Sequence, residues 1–341
     1  MICFPQNGET EGSPVYEWNR LIQRIVDGID ENIRAHDGEA LTLRALARRL
    51  GYSEFHTTRK FREVSGGMQL REYLRLRRLA FALKEVRDTD RGFLDIALDY
   101  GFSSHEAFTR AFKAAYGVTP GQYRKDPRPM VLRTKLTPFD RYFLGLGEIG
   151  MVKSTDTVKI YFITIPAHKY LHTENRESNG YWDFWQKQNR IPGQDYDTVC
   201  GLLDSIRGKL DDSGGSEANC GAGQVMGYLN DPTGRLCDWG FLRTECYGVR
   251  LPADYAGEVP PGMVLTDVPE GEYVVFEHGP FDYEQENRTV EEKIEAAMAS
   301  FDYGAAGCCL DTTPGRIMYF FYNPSQYFKY IRPVKRPDGG R

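Results

Sequence analysis

Two stretches of this 341-residue chain repeat one another, and the repeat makes the front half helical. One reads ALARRLGYSEFHTTRKF, the other DIALDYGFSSHEAFTRAF. Each has an Ala-containing helix pattern, then Gly-aromatic-Ser, then a second helix pattern ending in Arg-x-Phe. Gly51 pairs with Gly101, Tyr52 with Phe102, Ser53 with Ser103, Arg59 with Arg110 and Phe61 with Phe112. The Gly permits a left-handed turn, the aromatic wedges between two helices, and the Ser caps the second. These are the parts of a helix-turn-helix, whose second helix can aim side chains at base edges in a major groove. The second copy has one more residue between Gly and Phe, expected in its recognition helix.

Apolar spacing fills in the rest. Leu21, Ile22, Ile25, Val26 and Ile29 predict an amphipathic first helix. Leu70–Arg87 predicts one long helix between the two repeats, able to hold them about 34 Å apart over successive major grooves. Thr119-Pro120 starts a last short helix. Phe61, Phe102, Phe108 and Phe112 are expected in the core. The basic run Arg75, Arg77 and Arg78 reads either as a solvated helix face or as a contact to DNA backbone. Residues 15–126 carry 20 Lys/Arg against 16 Asp/Glu, a net of +4, while the rest of the chain carries −9. Only the front half is suited to meet phosphates.

After Asp126 the character changes. Pro127, Pro129 and Pro138 mark a linker over 127–157. Strand signals then dominate 158–336: Ile160–Ile165, Val225–Leu229, Gly240–Val249, Tyr273–Glu277, Arg316–Tyr322 and Tyr327–Val334. Helical stretches fall at Gly180–Arg190 and Asn287–Phe301. The order strand, helix, strand, strand occurs twice, so the expected architecture is α + (α+β): an all-α double helix-turn-helix followed by a duplicated β-α-β-β antiparallel sheet. A cleft at the pseudo-twofold axis suits a small ligand. Trp182, Trp185, Tyr228, Trp239, Tyr319 and Tyr330 are its candidate aromatic walls, with Glu245 as charge partner, favouring aromatic or hydrophobic molecules.

Other classes find little support. The seven cysteines (3, 200, 220, 237, 246, 308 and 309) form no CxxC and read as reduced thiols. His168 and His172, four apart on a strand, lie about 13 Å from each other, too far to share a metal. No P-loop, GxSxG or nucleophile pair occurs, so neither catalytic residues nor a cofactor are expected. Residues 1–14 read as a loose polar tail without a signal-peptide pattern. No run approaches the roughly 20 apolar residues of a membrane span, so a cytoplasmic protein is expected.

The stretch DIALDYGFSSHEAFTRAFKAAYGVTPGQYR resembles the signature of the AraC/XylS transcriptional regulators: Ile96-Ala97, Gly101-Phe102-Ser103-Ser104, Phe108, Arg110 to Lys113, Gly117, Thr119-Pro120 and Tyr123-Arg124 fall at the family spacing. The resemblance covers residues 18–126. It implies DNA contacts from Phe55, Thr58, Arg59 and Arg62 in the first recognition helix. From the second it implies His105, Glu106, Ala107, Arg110 and Lys113. The implied partners are double-stranded operator DNA and RNA polymerase, with the chain acting as an activator. Residues 158–336 resemble the gyrase-inhibitor-like effector-binding domain of multidrug-sensing regulators, through EYVVFEHGPF and the closing YFKYIRPVK. Many members close with an acid where this chain has Lys329; if Lys329 faces the ligand, that ligand is neutral or anionic. Two other roles for the back half are a ligand-free protein-interaction module and a small-molecule hydrolase.

Overall fold

The computed structural model describes residues 14–136, 158–210, 223–237, 241–281, 283–323 and 327–336. It divides into two compact units, Met1–Glu148 with Tyr196–Ser205, and Ile149–Asp195 with Ile206–Arg341.

The first unit is helical: α1 (Pro14–Arg34), α2 (Leu43–Leu50), α3 (Glu54–Val64), α4 (Leu70–Asp88), α5 (Phe93–Asp99), α6 (His105–Tyr116) and α7 (Pro120–Lys125). The apolar stripe of α1 (Ile22, Ile25, Val26 and Ile29) is wholly buried. Phe61, Phe108 and Phe112 join it in one core, with Phe102 packed against its edge. The two turns follow the residue chemistry. Gly51 and Gly101 sit at φ 75° and 74°, in the left-handed region that side chains with a Cβ avoid. α4 touches α3 from the first repeat and α5, α6 and α7 from the second. Two features depart from expectation. Met130 and Leu132, from the segment expected as linker, are buried in this core. A further helix, α9 (Tyr196–Ser205), belongs to this unit although the second unit's α8 (Tyr181–Gln188) precedes it in the chain.

The second unit is an antiparallel sheet with helices. Its strands are β1 (Lys159–Ile165), β2 (His168–Asn175), β3 (Gln224–Leu236), β4 (Leu242–Pro252), β5 (Val264–Val268), β6 (Gly271–His278), β7 (Cys309–Leu310), β8 (Ile317–Asn323) and β9 (Tyr327–Lys335). The order across the sheet is β1-β6-β9-β8-β3-β4-β2-β5, with β7 beside β9. Period-2 alternation sends side chains to two faces. One face holds a core of Tyr170, Val225, Cys246, Tyr273, Val275, Ile317, Tyr319 and Ile331. The other bears helices: the Trp185 ring of α8 lies 4.9 Å from Tyr247, and α10 (Tyr283–Ser300) packs on β6 and β9.

Candidate nucleic-acid interface and ligand face

The recognition helices begin alike. The Ser53 hydroxyl accepts the His56 N–H at 3.2 Å, and the Ser104 hydroxyl accepts the Ala107 N–H at 3.1 Å. The second cap is therefore Ser104, not the Ser103 that repeat alignment pairs with Ser53. Counted from the caps, Phe61 and Phe112 fall at equal distance, so the extra residue lies in the turn and not in the helix. Equivalent positions become Phe55 with Glu106, Arg59 with Arg110, and Arg62 with Lys113.

These residues share an outward face. Phe55 is 76% exposed, unusual for a large apolar side chain on a first turn. Arg59, Arg62, His105, Glu106, Arg110 and Lys113 are exposed, Thr58 and Ala107 half-buried. The Thr58 hydroxyl donates to the Glu54 carbonyl at 2.8 Å, which commits it to its own helix. Arg59 lies 3.6 Å from Glu63, which also takes Lys60 at 2.7 Å. Glu106 is held below the usual carboxylate range, first by a side-chain hydrogen bond with Ser104. His105 stacks on Phe93, ring centres 6.0 Å apart, and the Arg124 guanidinium sits 4.1 Å over that ring. The start of α6 is thus fastened to α5 and α7.

The basic run of α4 is not one solvated face, because Arg77 is buried and Arg75 and Arg78 are only partly exposed. Arg75 pairs with Glu72 at 2.9 Å, and Arg77 is buried against Asp30. Arg78 is half-buried, with burial lowering its pKa.

In the second unit, Tyr228, Glu245 and Tyr330 share the helix-bearing face. Register decides this: Tyr228 pairs with Glu245 on one side and Met318 on the other, and Tyr330 pairs with Phe320. Trp185 is buried and Trp182 half-buried on α8 above this face. Tyr319 pairs with Ile331 and so points to the opposite face. Trp239 lies outside the described residues. Glu245 is 1% exposed. Its Oε1 accepts the Gly180 N–H at 2.7 Å and the Arg243 guanidinium at 2.8 Å, while its Oε2 has no partner among the described residues. Arg243 also lies 4.6 Å over the Tyr228 ring. A small, roughly water-sized cleft opens at the Tyr228 end of this row, walled by Met318, Asp311, Arg316 and Arg332.

Lys329 does not face this side. It points to the opposite face with Tyr319, 3.7 Å from Glu277 and 3.9 Å over the Tyr327 ring. The two histidines sit on that face too. His168 Nε2 lies 2.7 Å from the Tyr319 hydroxyl and His172 Nε2 lies 3.0 Å from the Thr266 hydroxyl. Burial lowers both histidines to a pKa of about 4.

A family model described as a helix-turn-helix domain matches residues 46–126. Regulatory protein SoxS of Salmonella typhimurium is 38% identical over 105 residues, which are 31% of this chain and 94% of that protein. The chain belongs to the AraC/XylS family. The right origin-binding protein of Escherichia coli is 41% identical over 132 residues, 37% of this chain and 45% of that protein. Among solved structures, SAV2435 bound to tetraphenylphosphonium aligns over 52% of this chain and 94% of that one, at 12% identity and a TM-score of 0.33. That likeness is too slight to carry an argument.

This AraC/XylS protein is a DNA-binding transcriptional regulator. Among its described residues, no helix is long and apolar enough to cross a membrane. Sequence reasoning missed Arg243 and Phe320 on the helix-bearing face. Arg243 was within reach, being two residues from Glu245 on one strand and so on the same face.

Proposed function

We propose that this regulator is sequence-specific and reads two successive major grooves, about 34 Å apart, with α3 and α6. Phe55, Thr58, Arg59 and Arg62 face one groove, and His105, Glu106, Ala107, Arg110 and Lys113 face the other. It activates transcription through contact with RNA polymerase, under the control of a small molecule bound to the second unit. That unit is a duplicated β-α-β-β domain, gyrase-inhibitor-like, with β2-α8-β3-β4 answering β6-α10-β8-β9. The ligand lies on the helix-bearing face, against Trp182, Trp185, Tyr228 and Tyr330.

One observation carries the ligand reading: the Oε2 of Glu245 is buried and has no partner among the described residues. A buried acceptor left unpaired costs about 1–3 kcal/mol, and more when charged. A ligand N–H or O–H removes that cost, and aromatic neighbours favour a flat apolar body beside the donor. Arg243 already balances the carboxylate, so the donor can be neutral or cationic. The restriction to a neutral or anionic ligand, which required Lys329 on this side, does not apply. The test is a thermal-shift screen of the full chain with neutral, acidic and cationic aromatics. Donor-bearing aromatics should raise the unfolding midpoint, Glu245→Gln should weaken that rise, and Lys329→Ala should not. No rise with any compound overturns the ligand reading and leaves an interaction module, and a rise indifferent to Glu245→Gln overturns the placement of the ligand at Glu245.

A further inference from the structure

The helix α9 stands in the middle of the second unit's sequence yet belongs to the first unit. Its docking there is specific. Lys84 Nζ lies 3.3 Å from Asp204, and Arg87 donates to the Ser205 carbonyl. The Ser205 hydroxyl accepts the Met130 N–H at 3.0 Å, and Arg133 pairs with Asp197 at 2.6 Å. The Leu132 N–H donates to the Gly201 carbonyl at 3.3 Å. A Cβ at Gly201 would stand 2.5 Å from the Leu132 carbonyl oxygen, so two backbones meet where only glycine fits. Val199 and Leu203 are wholly buried.

What α9 grips is consequential. Lys84 and Arg87 lie on the last turns of α4, and α4 also carries α5, α6 and α7. The end of the connecting helix, from which the second recognition helix is hung, is therefore held by α9.

Both flanks of α9 are anchored to the sheet. The Gln194 side chain accepts from Thr173 of β2 and donates to the Gly262 carbonyl at 3.1 Å. The Leu210 N–H donates to the carbonyl of Arg250 on β4 at 2.8 Å. Only Asp195 lies between Gln194 and the helix. An extended chain reaches about 3.3–3.6 Å per residue, so this tether spans about 7 Å at most. A shift of β2 must pull on α9 or break the Gln194 hydrogen bonds, and β2 pairs directly with β4, the strand that bears Glu245.

We infer that α9 is a coupling helix, carrying the state of strands β2 and β4 into the DNA-binding unit through the end of α4. The inference rests on the ligand reading only for the origin of the signal. The mechanical link needs no ligand.

The test uses the full chain and a duplex that the wild-type protein selects from a randomised pool. Gln194→Ala cuts the sheet-side anchor and Gly201→Val undocks the helix. Gln194→Ala should change the DNA Kd by about 2- to 30-fold, the span of coupling through protein networks. Gly201→Val should speed hydrogen exchange at residues 84–88 and 130–133. The double variant should then match Gly201→Val alone, because an undocked helix has nothing to transmit. If Gly201→Val fails to fold, Arg133→Ala with Asp204→Asn replaces it. Additive effects on Kd, or a Gln194→Ala chain that binds as wild type, overturn the inference. Neither result bears on the ligand screen, and an empty screen leaves the cycle's outcome intact.

Discussion

The guanidinium of Arg77 forks onto the carboxylate of Asp30, 47 residues away, with Nε 2.9 Å from Oδ1 and Nη2 on Oδ2. Both side chains are all but removed from solvent, 6% and 4% exposed. Removing one member strands a buried charge. Arg77→Met should destabilise the first unit by about 3–5 kcal/mol, whereas Arg77→Met with Asp30→Leu should come close to neutral. Denaturant unfolding of the three proteins checks this, and equal losses in single and double variants would contradict it.

Phe55 makes the opposite case. At 76% exposure it adds little to the fold, so Phe55→Ala should change stability by no more than about 0.5 kcal/mol. Its placement on the first turn of α3 suits apolar contact with a thymine methyl. Affinity for the selected duplex should drop while affinity for random duplex holds. A variant that loses stability without losing discrimination would return Phe55 to a packing role.

Arg59→Ala and Arg110→Ala should each cut discrimination between selected and random duplex by about 1–3 kcal/mol, the size of a bidentate base contact. Binding titrations on both duplexes decide the point. Equal losses on the two would make these arginines phosphate contacts.

The histidines give a pH test. Burial holds His168 and His172 at a pKa of about 4, below the 6.5 of an exposed imidazole. Between those values the unfolded chain binds protons that the folded chain does not. Stability is then fully present above about pH 6.5 and falls toward pH 4, by about 1.4 kcal/mol per pH unit per histidine. Unfolding curves from pH 4 to 8 should show this slope, and His168→Gln with His172→Gln should flatten it. An unchanged slope in that variant would refer acid sensitivity to other groups.

What the sequence makes legible follows the range of the interaction. The turns at Gly51 and Gly101 and the caps of α3 and α6 are decided within a few residues, and they read correctly to within one serine. Arg77 needed Asp30 from a different helix to reveal it as buried. Tyr319 and Tyr330 both look like pocket walls until register is known; a one-residue offset then sends them to opposite faces. Nothing local in α9 announces that its partner is Leu132, because a backbone contact through Gly201 leaves no hydrophobic period to read.

The boundary of the DNA-binding unit offers the last prediction. The relative SoxS is 94% covered by an alignment of 105 residues, so a protein hardly longer than this unit exists on its own. Residues 15–126 should therefore fold and bind duplex DNA. Their affinity should fall linearly with log salt, at about −0.9 per phosphate neutralised. The fragment lacks Met130, Leu132 and α9, which in the full chain cover part of its core. It should thus unfold at lower denaturant than a chain that keeps them, by the few kcal/mol that deleting buried apolar side chains removes. Electrophoretic shifts over a salt series, paired with urea unfolding, measure both effects. If 15–126 binds no duplex at low salt while 127–341 does, DNA recognition does not reside in the two repeats.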